Sequence, residues 1–269
     1  MVEYSADYPA PPDRVHPMSV TAPPAGPSRQ NRLLAALPDE DWERVADQLR
    51  PTFMRLGTAI YESGATLTDV YFPTTTIVSL LYVMADGASA EIALVGNDGI
   101  IGVALFMGGE TTPNRAVVQS EGWAYRLPGK LLKDEFARGS VLQHLLLRYT
   151  QALLTQMAQT AVCNRYHSVD QQLSRWLLLS LDRLASRKIT MTQELIANML
   201  GVRREGVSEA AGHLQDAGLI RYRRGVIEVT DRAGLEQRCC ECYGVVKRES
   251  DRLMEFAATV KAPPGPVRG

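Results

Sequence analysis

Apolar positions along this chain fall into three successive textures. From Pro51 to Leu127 they come in brief β-branched and aromatic runs, TFMRL, AIYESG, DVYFP, TIVSLLYVM, SAEIALVG, RAVVQS and WAYRLP, cut by Gly, Asn and Asp. Such spacing, with turn signals at Asp86-Gly87 and Asn97-Asp98-Gly99, predicts an antiparallel β-roll or sandwich. From Ser140 to about Tyr166 neither Gly nor Pro intervenes, and Leu142, Leu145, Leu146, Tyr149, Leu153 and Met157 recur at three and four residues. That period predicts one helix on the order of 40 Å long. Leu147, Leu154 and Ala161 form a second apolar face, suited to a partner helix once the first lies on the roll, although a single bundle core would use both faces too. Ser168-Val169-Asp170 reads as a hinge and cap, after which Leu173, Trp176, Leu177, Leu181 and Leu184 open a third unit.

In that unit, MTQELIANMLGVRREGVSEAAGHLQDAGLI (Met191 to Ile220) contains two short helical patterns joined at Gly201. Thr192 can cap the first, whose Leu195, Ile196, Met199 and Leu200 make one buried stripe. Gly201 can enter the left-handed region cheaply and lets the second helix start at a steep angle, with Val202 anchoring the turn. The second helix buries Val207, Ala210, Ala211 and Leu214 and turns Arg203, Arg204, Glu205, Ser208 and Glu209 outward. A basic hairpin, IRYRRGVIEV, follows, with Arg221, Arg223 and Arg224 around Tyr222 and the turn residue Gly225. This is the pattern of a winged helix-turn-helix, whose second helix meets the major groove of duplex DNA. Arg204 suits guanine O6 and N7 and Glu205 suits cytosine N4, while Arg203 and the wing arginines suit phosphate.

Outside these units, Leu33, Leu34 and Leu37 precede a short helix begun by Pro38-Asp39-Glu40-Asp41-Trp42 and carrying Val45 and Leu49. The first 30 residues hold seven of the 15 prolines without apolar periodicity and are expected to be disordered, as is the stretch from Lys261 to Gly269. A last helix is expected from about Asp231 to Phe256, packing Leu235, Tyr243, Val246 and Leu253 on the winged domain. The expected division is a tail (1–30), a sensor domain (31–137), a dimerisation helix (138–167), a winged domain (168–238) and a C-terminal extension with its tail (239–269).

Composition changes this picture little: 269 residues, 45% hydrophobic and 22% charged, suffice for two globular domains. A net charge of −1 is modest for a DNA binder, but from Arg203 to Arg224 five arginines face three acids. No run approaches the roughly 18 to 20 apolar residues of a membrane span and the N-terminus lacks a signal pattern, so a cytoplasmic protein without a membrane partner is expected.

From about Asn31 to Glu236 the chain resembles the cyclic-AMP receptor/fumarate-nitrate regulator (Crp/Fnr) family of bacterial transcription factors, most specifically in Gly201-Val202-Arg203-Arg204-Glu205 followed by Val207. The resemblance implies an α+β architecture: an N-terminal cyclic-nucleotide-binding-type antiparallel β-roll (jelly roll), a long dimerisation helix and a C-terminal winged helix-turn-helix. It also implies a homodimer on a palindromic site near promoters, with double-stranded DNA and RNA polymerase as partners and no enzymatic activity. The DNA-facing set is Thr192, Gln193, Arg203, Arg204, Glu205, Ser208, Glu209, Arg221, Arg223 and Arg224. Arg204 and Glu205 match the family's base-reading positions. Glu209 does not, because many members have arginine there, so a different palindrome is expected.

The segment GIIGVALFMGGETTPNRA, Gly99 to Ala116, lies where the family's phosphate cassette lies. Cyclic-AMP binders carry there a Gly-Glu pair for the ribose hydroxyl and an Arg-Ser pair for the cyclic phosphate; here Gly102 is followed by Val103 and Arg115 by Ala116. Val103 cannot accept the ribose hydrogen bond and Ala116 offers no hydroxyl, so cyclic AMP is not the expected effector. Arg115 is left as a structural or surface residue, or as the anchor of some other anion.

Between Pro51 and Lys130 there is neither His nor Cys, which removes imidazole-ligated metal or haem from the roll. The four cysteines, Cys163, Cys239, Cys240 and Cys242, lie at or beyond the end of the long helix, away from the N-terminal position of the family's iron-sulfur ligands. Cys239, Cys240 and Cys242 are weak metal candidates, with Cys163 or a second subunit as a further source of ligand; thiols without a metal are the plainer reading. His144 and His167 read as ordinary imidazoles. No cofactor is expected. The competing functional reading is a small-molecule or thiol/metal redox sensor that acts through a protein partner.

Overall fold

The computed structural model describes residues 27–184 and 186–261, and side chains from 28 to 252. Much of the expected N-terminal tail, the final residues and the Leu253 and Phe256 side chains therefore lie outside the described residues. Residues 27–30 correct the tail: they form a short 3-10 turn in which Arg29 stacks over Trp42 at 4.8 Å and pairs with Asp39 at 3.1 Å. Proline-rich composition hid an arginine whose partners, Asp39 and Trp42, stand in the helix Asp39–Ala46.

Two small helices, α1 (Arg32–Ala35) and α2 (Asp39–Ala46), close one end of the roll. Asn31, fully buried, caps α1 by accepting from the Leu33 and Leu34 amides and donates through Nδ2 to the carbonyls of Pro73 and Gly99 at 2.9 and 2.8 Å. The roll follows: β1 (Arg50–Met54), β2 (Ala59–Tyr61), β3 (Asp69–Pro73), β4 (Ile77–Val83), β5 (Ser89–Val95), β6 (Arg115–Ser120) and β7 (Gly122–Pro128). One antiparallel sheet runs β1-β7-β3 and the other β2-β6-β4-β5. Their inner faces bury Val70, Phe72, Val78, Leu80, Ala93, Ala116, Val118 and Leu127 in one core, as the alternation of each strand requires.

A short helix, α3 (Gly129–Ala137), leads into α4 (Val141–Tyr166), the long helix predicted from the absence of Gly and Pro. Leu142, Leu145, Leu146, Tyr149 and Leu153 of α4 join the roll's core. Gly99 permits this approach, since a Cβ there would collide with the Tyr149 ring and hydroxyl. The second apolar face of α4 stays uncovered: Leu147, Leu154 and Val162 are 45 to 55% exposed and Tyr166 is 76% exposed.

Ser168 begins α5 (Val169–Leu181) with a reciprocal cap, its side chain accepting from the Gln171 amide while Gln171 reaches back to the Ser168 amide. Then come β8 (Lys188–Thr190), α6 (Gln193–Leu200), α7 (Arg204–Asp216), β9 (Ile220–Arg223) and β10 (Val226–Val229), with a sheet ordered β8-β10-β9. The apolar face of this unit packs on the outer face of the roll: Ile77, Leu81, Leu94 and Val117 share one core with Leu173, Trp176, Leu177, Met199 and Leu200.

The expected single C-terminal helix is two. After α8 (Arg232–Arg238) the backbone becomes extended at Cys239 (φ −71°, ψ 157°), and α9 (Glu241–Lys261) runs in a new direction. No Gly or Pro marks this break in the sequence. Helix α9 lies antiparallel along α4, with Val246 and Ser250 beside Ala152, Leu153 and Gln156, and its Cys240 end beside Cys163. Tyr243 and Val246 pack into the winged-domain core, as expected.

Candidate functional site

The helix-turn-helix is built as its spacing requires. Thr192 Oγ1 accepts from the Leu195 amide at 3.3 Å, and Gly201 takes the left-handed conformation (φ 66°, ψ 33°) that ends α6. Arg203 stands at the start of α7, and Arg203, Arg204, Glu205, Ser208 and Glu209 are all exposed while Val207, Ala210, Ala211 and Leu214 are buried. Gln193 accepts a hydrogen bond from Ser208 at 2.7 Å, so these two form one polar unit beside the first turn of α7. The wing closes through Arg224 and Gly225, both at positive φ (51° and 77°), the pair of conformations a two-residue hairpin turn needs. Tyr222 braces it by donating to the Met191 carbonyl at 2.8 Å.

Charge on this surface is uneven. Arg221 pairs with Glu228 at 3.6 Å, whereas Arg203, Arg204, Arg223 and Arg224 make no ion pair among the described residues. Four guanidinium groups therefore face solvent from the start of α7 and the tip of the wing, an arrangement able to bind phosphate and base edges together.

Within the roll, the cassette residues separate. Gly102 (φ 98°) and Val103 line a narrow cavity with Tyr61, Leu67, Leu80 and Ile100; it measures about 30 Å³, room for a water molecule or two. Ala116 is wholly buried in the core between the sheets. Arg115 donates to Glu62 at 2.8 Å and is mostly buried. The structure thus brings Gly102 and Val103 together and holds Arg115 in an ion pair at the end of β6.

A second buried region lies where α5 meets the roll, and the sequence did not announce it. Ser79 donates to Gln119 (2.9 Å) and Gln119 to Ser180 (3.3 Å); Arg183 pairs with Asp98 at 2.8 Å and donates to Gln156 at 3.0 Å. Glu91 is buried beside them, and burial pushes its carboxyl up to about 7 against the pull of Ser79, Arg175 and Arg183. An acid inside the apolar run SAEIALVG was the only signal of it.

The third cluster sits at the hinge. Cys163, in the last turn of α4, and His167, its C-cap, meet Cys240 and Cys242 from the α8–α9 break, with all four ligand atoms within 4.8 Å of one another. Cys239, expected with them, is not one of these four; half-buried, it packs against the group with its sulfur 4.0 Å from the Gln171 carbonyl. Hydrogen bonds from Cys163 and Cys239 lower Cys240, and the same bonds raise Cys163 and Cys239. His167, which read as an ordinary imidazole, belongs to this cluster; the Cys-x-x-x-His spacing at a helix end was its signal.

Comparison with known proteins agrees with this architecture. Residues 52–138 match the cyclic nucleotide-binding domain and residues 171–238 match the Crp-like helix-turn-helix domain, together more than half of the chain. The chain belongs to the Crp/Fnr family. Similar solved structures of this Crp/Fnr type include FixK2 from Bradyrhizobium japonicum (18% identity, 71% of this chain and 98% of that one, TM-score 0.59). A CRP-family transcriptional regulator from Thermus thermophilus aligns at 20% identity over 70% of this chain and 95% of that one, TM-score 0.59. The c-di-GMP-responsive global regulator CLP of Xanthomonas campestris aligns at 15% identity over 71% and 99%, TM-score 0.54. At these identities the likeness is one of fold. No curated protein matches the chain. Among the described residues, no helix is long and apolar enough to cross a membrane.

Proposed function

We propose that this Crp/Fnr protein is a homodimeric regulator that reads a palindromic promoter site, works with RNA polymerase and does not answer to cyclic AMP. The observation that carries the reading is the exposed face of α7, where Arg203, Arg204, Glu205, Ser208 and Glu209 stand beside the unpaired wing arginines Arg223 and Arg224. Dimerisation is supported by the uncovered stripe of Leu147, Leu154, Val162 and Tyr166 on α4, which a second copy would bury. Two α7 helices related by a two-fold axis would meet successive major grooves about 34 Å apart. Against cyclic AMP stand Val103, Ala116 and a cavity with room for a water or two.

Selection of bound fragments from random duplexes by the full chain tests this. An inverted repeat with half-sites about one helical turn apart is expected; no enriched repeat at moderate salt overturns the reading. Arg204→Ala is expected to cost about 1 to 3 kcal/mol on the selected site and to relax its sequence preference. Equal losses on selected and random DNA would refute the role given to Arg204. Leu154→Glu, placing a charge on each side of the stripe, is expected to weaken the dimer about 100-fold or more in sedimentation. An unchanged dimer would move the interface elsewhere.

A further inference from the structure

The thiols at the hinge are placed for more than packing. Cys163, Cys240 and Cys242 are 0 to 5% exposed, and the cysteines form a cluster of their own, outside both hydrophobic cores. The Cys163 and Cys240 sulfurs lie 3.6 Å apart, and the Cys242 sulfur lies 3.6 Å from Nδ1 of His167. A tetrahedral ion with metal–sulfur bonds of about 2.3 Å has ligand–ligand edges of about 3.8 Å; two of the separations are close to that and all lie within 4.8 Å, a set that small side-chain shifts bring around a single ion. In a multi-iron cluster some ligands bind different irons and stand well beyond the 4.8 Å within which all four ligand atoms lie here. The other ring nitrogen of His167, Nε2, faces Oε2 of Glu241 at 3.5 Å, the carboxylate–imidazole pairing that orients a metal-bound histidine. Three thiolates and a divalent ion leave one negative charge, and Arg175, almost fully buried and hydrogen-bonded to Thr160 of α4, lies on the side of the cluster where its charge favours the thiolates.

We propose that Cys163, His167, Cys240 and Cys242 bind one tetrahedral metal ion of the zinc type, with Glu241 orienting His167. The ligands come from two places 77 residues apart in sequence, the end of α4 and the α8–α9 break. Between them runs the whole winged unit. The ion therefore ties the far end of that unit to the helix on which it hinges and fixes the direction in which α7 points. That last consequence rests on the DNA-reading role proposed above; binding of the ion does not.

The test uses the full chain, stripped of metal by chelator, kept reduced by a phosphine under nitrogen and titrated with cobalt(II) alone. Expected is saturation at one cobalt per chain, with the sulfur-to-cobalt charge-transfer and intense visible bands of a tetrahedral thiolate site, bleached by one equivalent of zinc(II). Cys239→Ser retains the spectrum, Cys242→Ser and His167→Ala each weaken binding by more than tenfold, and Glu241→Gln weakens it about 10- to 100-fold without abolishing it. Because the wild-type titration stands by itself, misfolding of a variant does not decide the matter. Absence of the tetrahedral spectrum in the wild-type chain overturns the proposal, as does a spectrum undiminished in Cys242→Ser. So does a Cys163–Cys240 disulfide as the main form in protein isolated anaerobically without added thiol. Duplex binding measured in parallel separates the two proposals, since cobalt can bind a chain that selects no DNA.

Discussion

The inside of the roll and the joint between the roll and α5 are both buried, yet they are built from opposite materials. The cavity under Gly102 and Val103 is walled mainly by Leu67, Leu80, Ile100 and Ile101 and is nearly filled. The joint holds Arg183, Asp98, Gln156, Ser79, Gln119, Ser180 and Glu91. The polar lining of the cavity is limited to Tyr61, Thr112 and Asn114, hydrogen-bonded to one another, and it contains no charged side chain. In a buried polar network, by contrast, loss of one pairing leaves a desolvated group behind and is costly. The fold thus places its buried charges between the two matched domains, outside the core of the roll.

The sharpest way to break this contrast is Arg183→Ala. It leaves Asp98 buried without its cation and is expected to cost about 3 to 5 kcal/mol in urea unfolding; a loss under about 1 kcal/mol would show the joint to be no more than packing. Next comes Glu91→Gln. The folded chain holds the Glu91 proton more tightly than the unfolded chain, about 7 against 4.5, so stability is greatest at low pH and falls as pH rises through that window. Removing the charge should stabilise the protein by about 3 kcal/mol at pH 8 and by almost nothing at pH 4; equal effects at both pH values would contradict the assignment. The smallest effect is expected inside the roll. Val103→Glu combined with Ala116→Ser restores the family's polar pairs, yet cyclic AMP binding by calorimetry should remain undetectable, since the cavity has no room for a nucleotide. Micromolar binding would show instead that those two side chains alone exclude it.

What could be read from the sequence follows from how locally each feature is determined. The seven strands of the roll were legible because alternation and turn residues are encoded within a few positions, and α4 because 26 residues pass without a breaker. The turn at Gly201 and the wing tip at Gly225 were legible because positive φ selects glycine. The short strand β8 was not, since three residues, Lys188 to Thr190, show no period. The break at Cys239 was invisible for a different reason: the helical pattern is continuous there, and the new direction is set by packing against α4. Of the surfaces, the exposed side of α7 was readable residue by residue. The hinge cluster was readable only in part, because Cys163 and His167 belong to one helix end and Cys240 and Cys242 to another, and sequence spacing does not show that they meet. Glu91, Arg175 and Arg183 acquire meaning only once α5 lies on the outer face of the roll.

The antiparallel seat of α9 on α4 carries a consequence for the order in which the molecule is made. A chain leaves the ribosome N-terminus first, and domains fold in that order. The roll and α4 are complete before any residue of α9 exists, and the side of α4 around Ala152 and Cys163 lacks its α9 cover until Cys240 to Ser250 arrive. Seating of α9 on α4 thus follows synthesis of the winged unit. A nascent chain halted before α9 carries every residue of α7 and the wing and the core that seats them on the roll, but lacks Tyr243 and Val246 from that core and the Cys240 end beside Cys163.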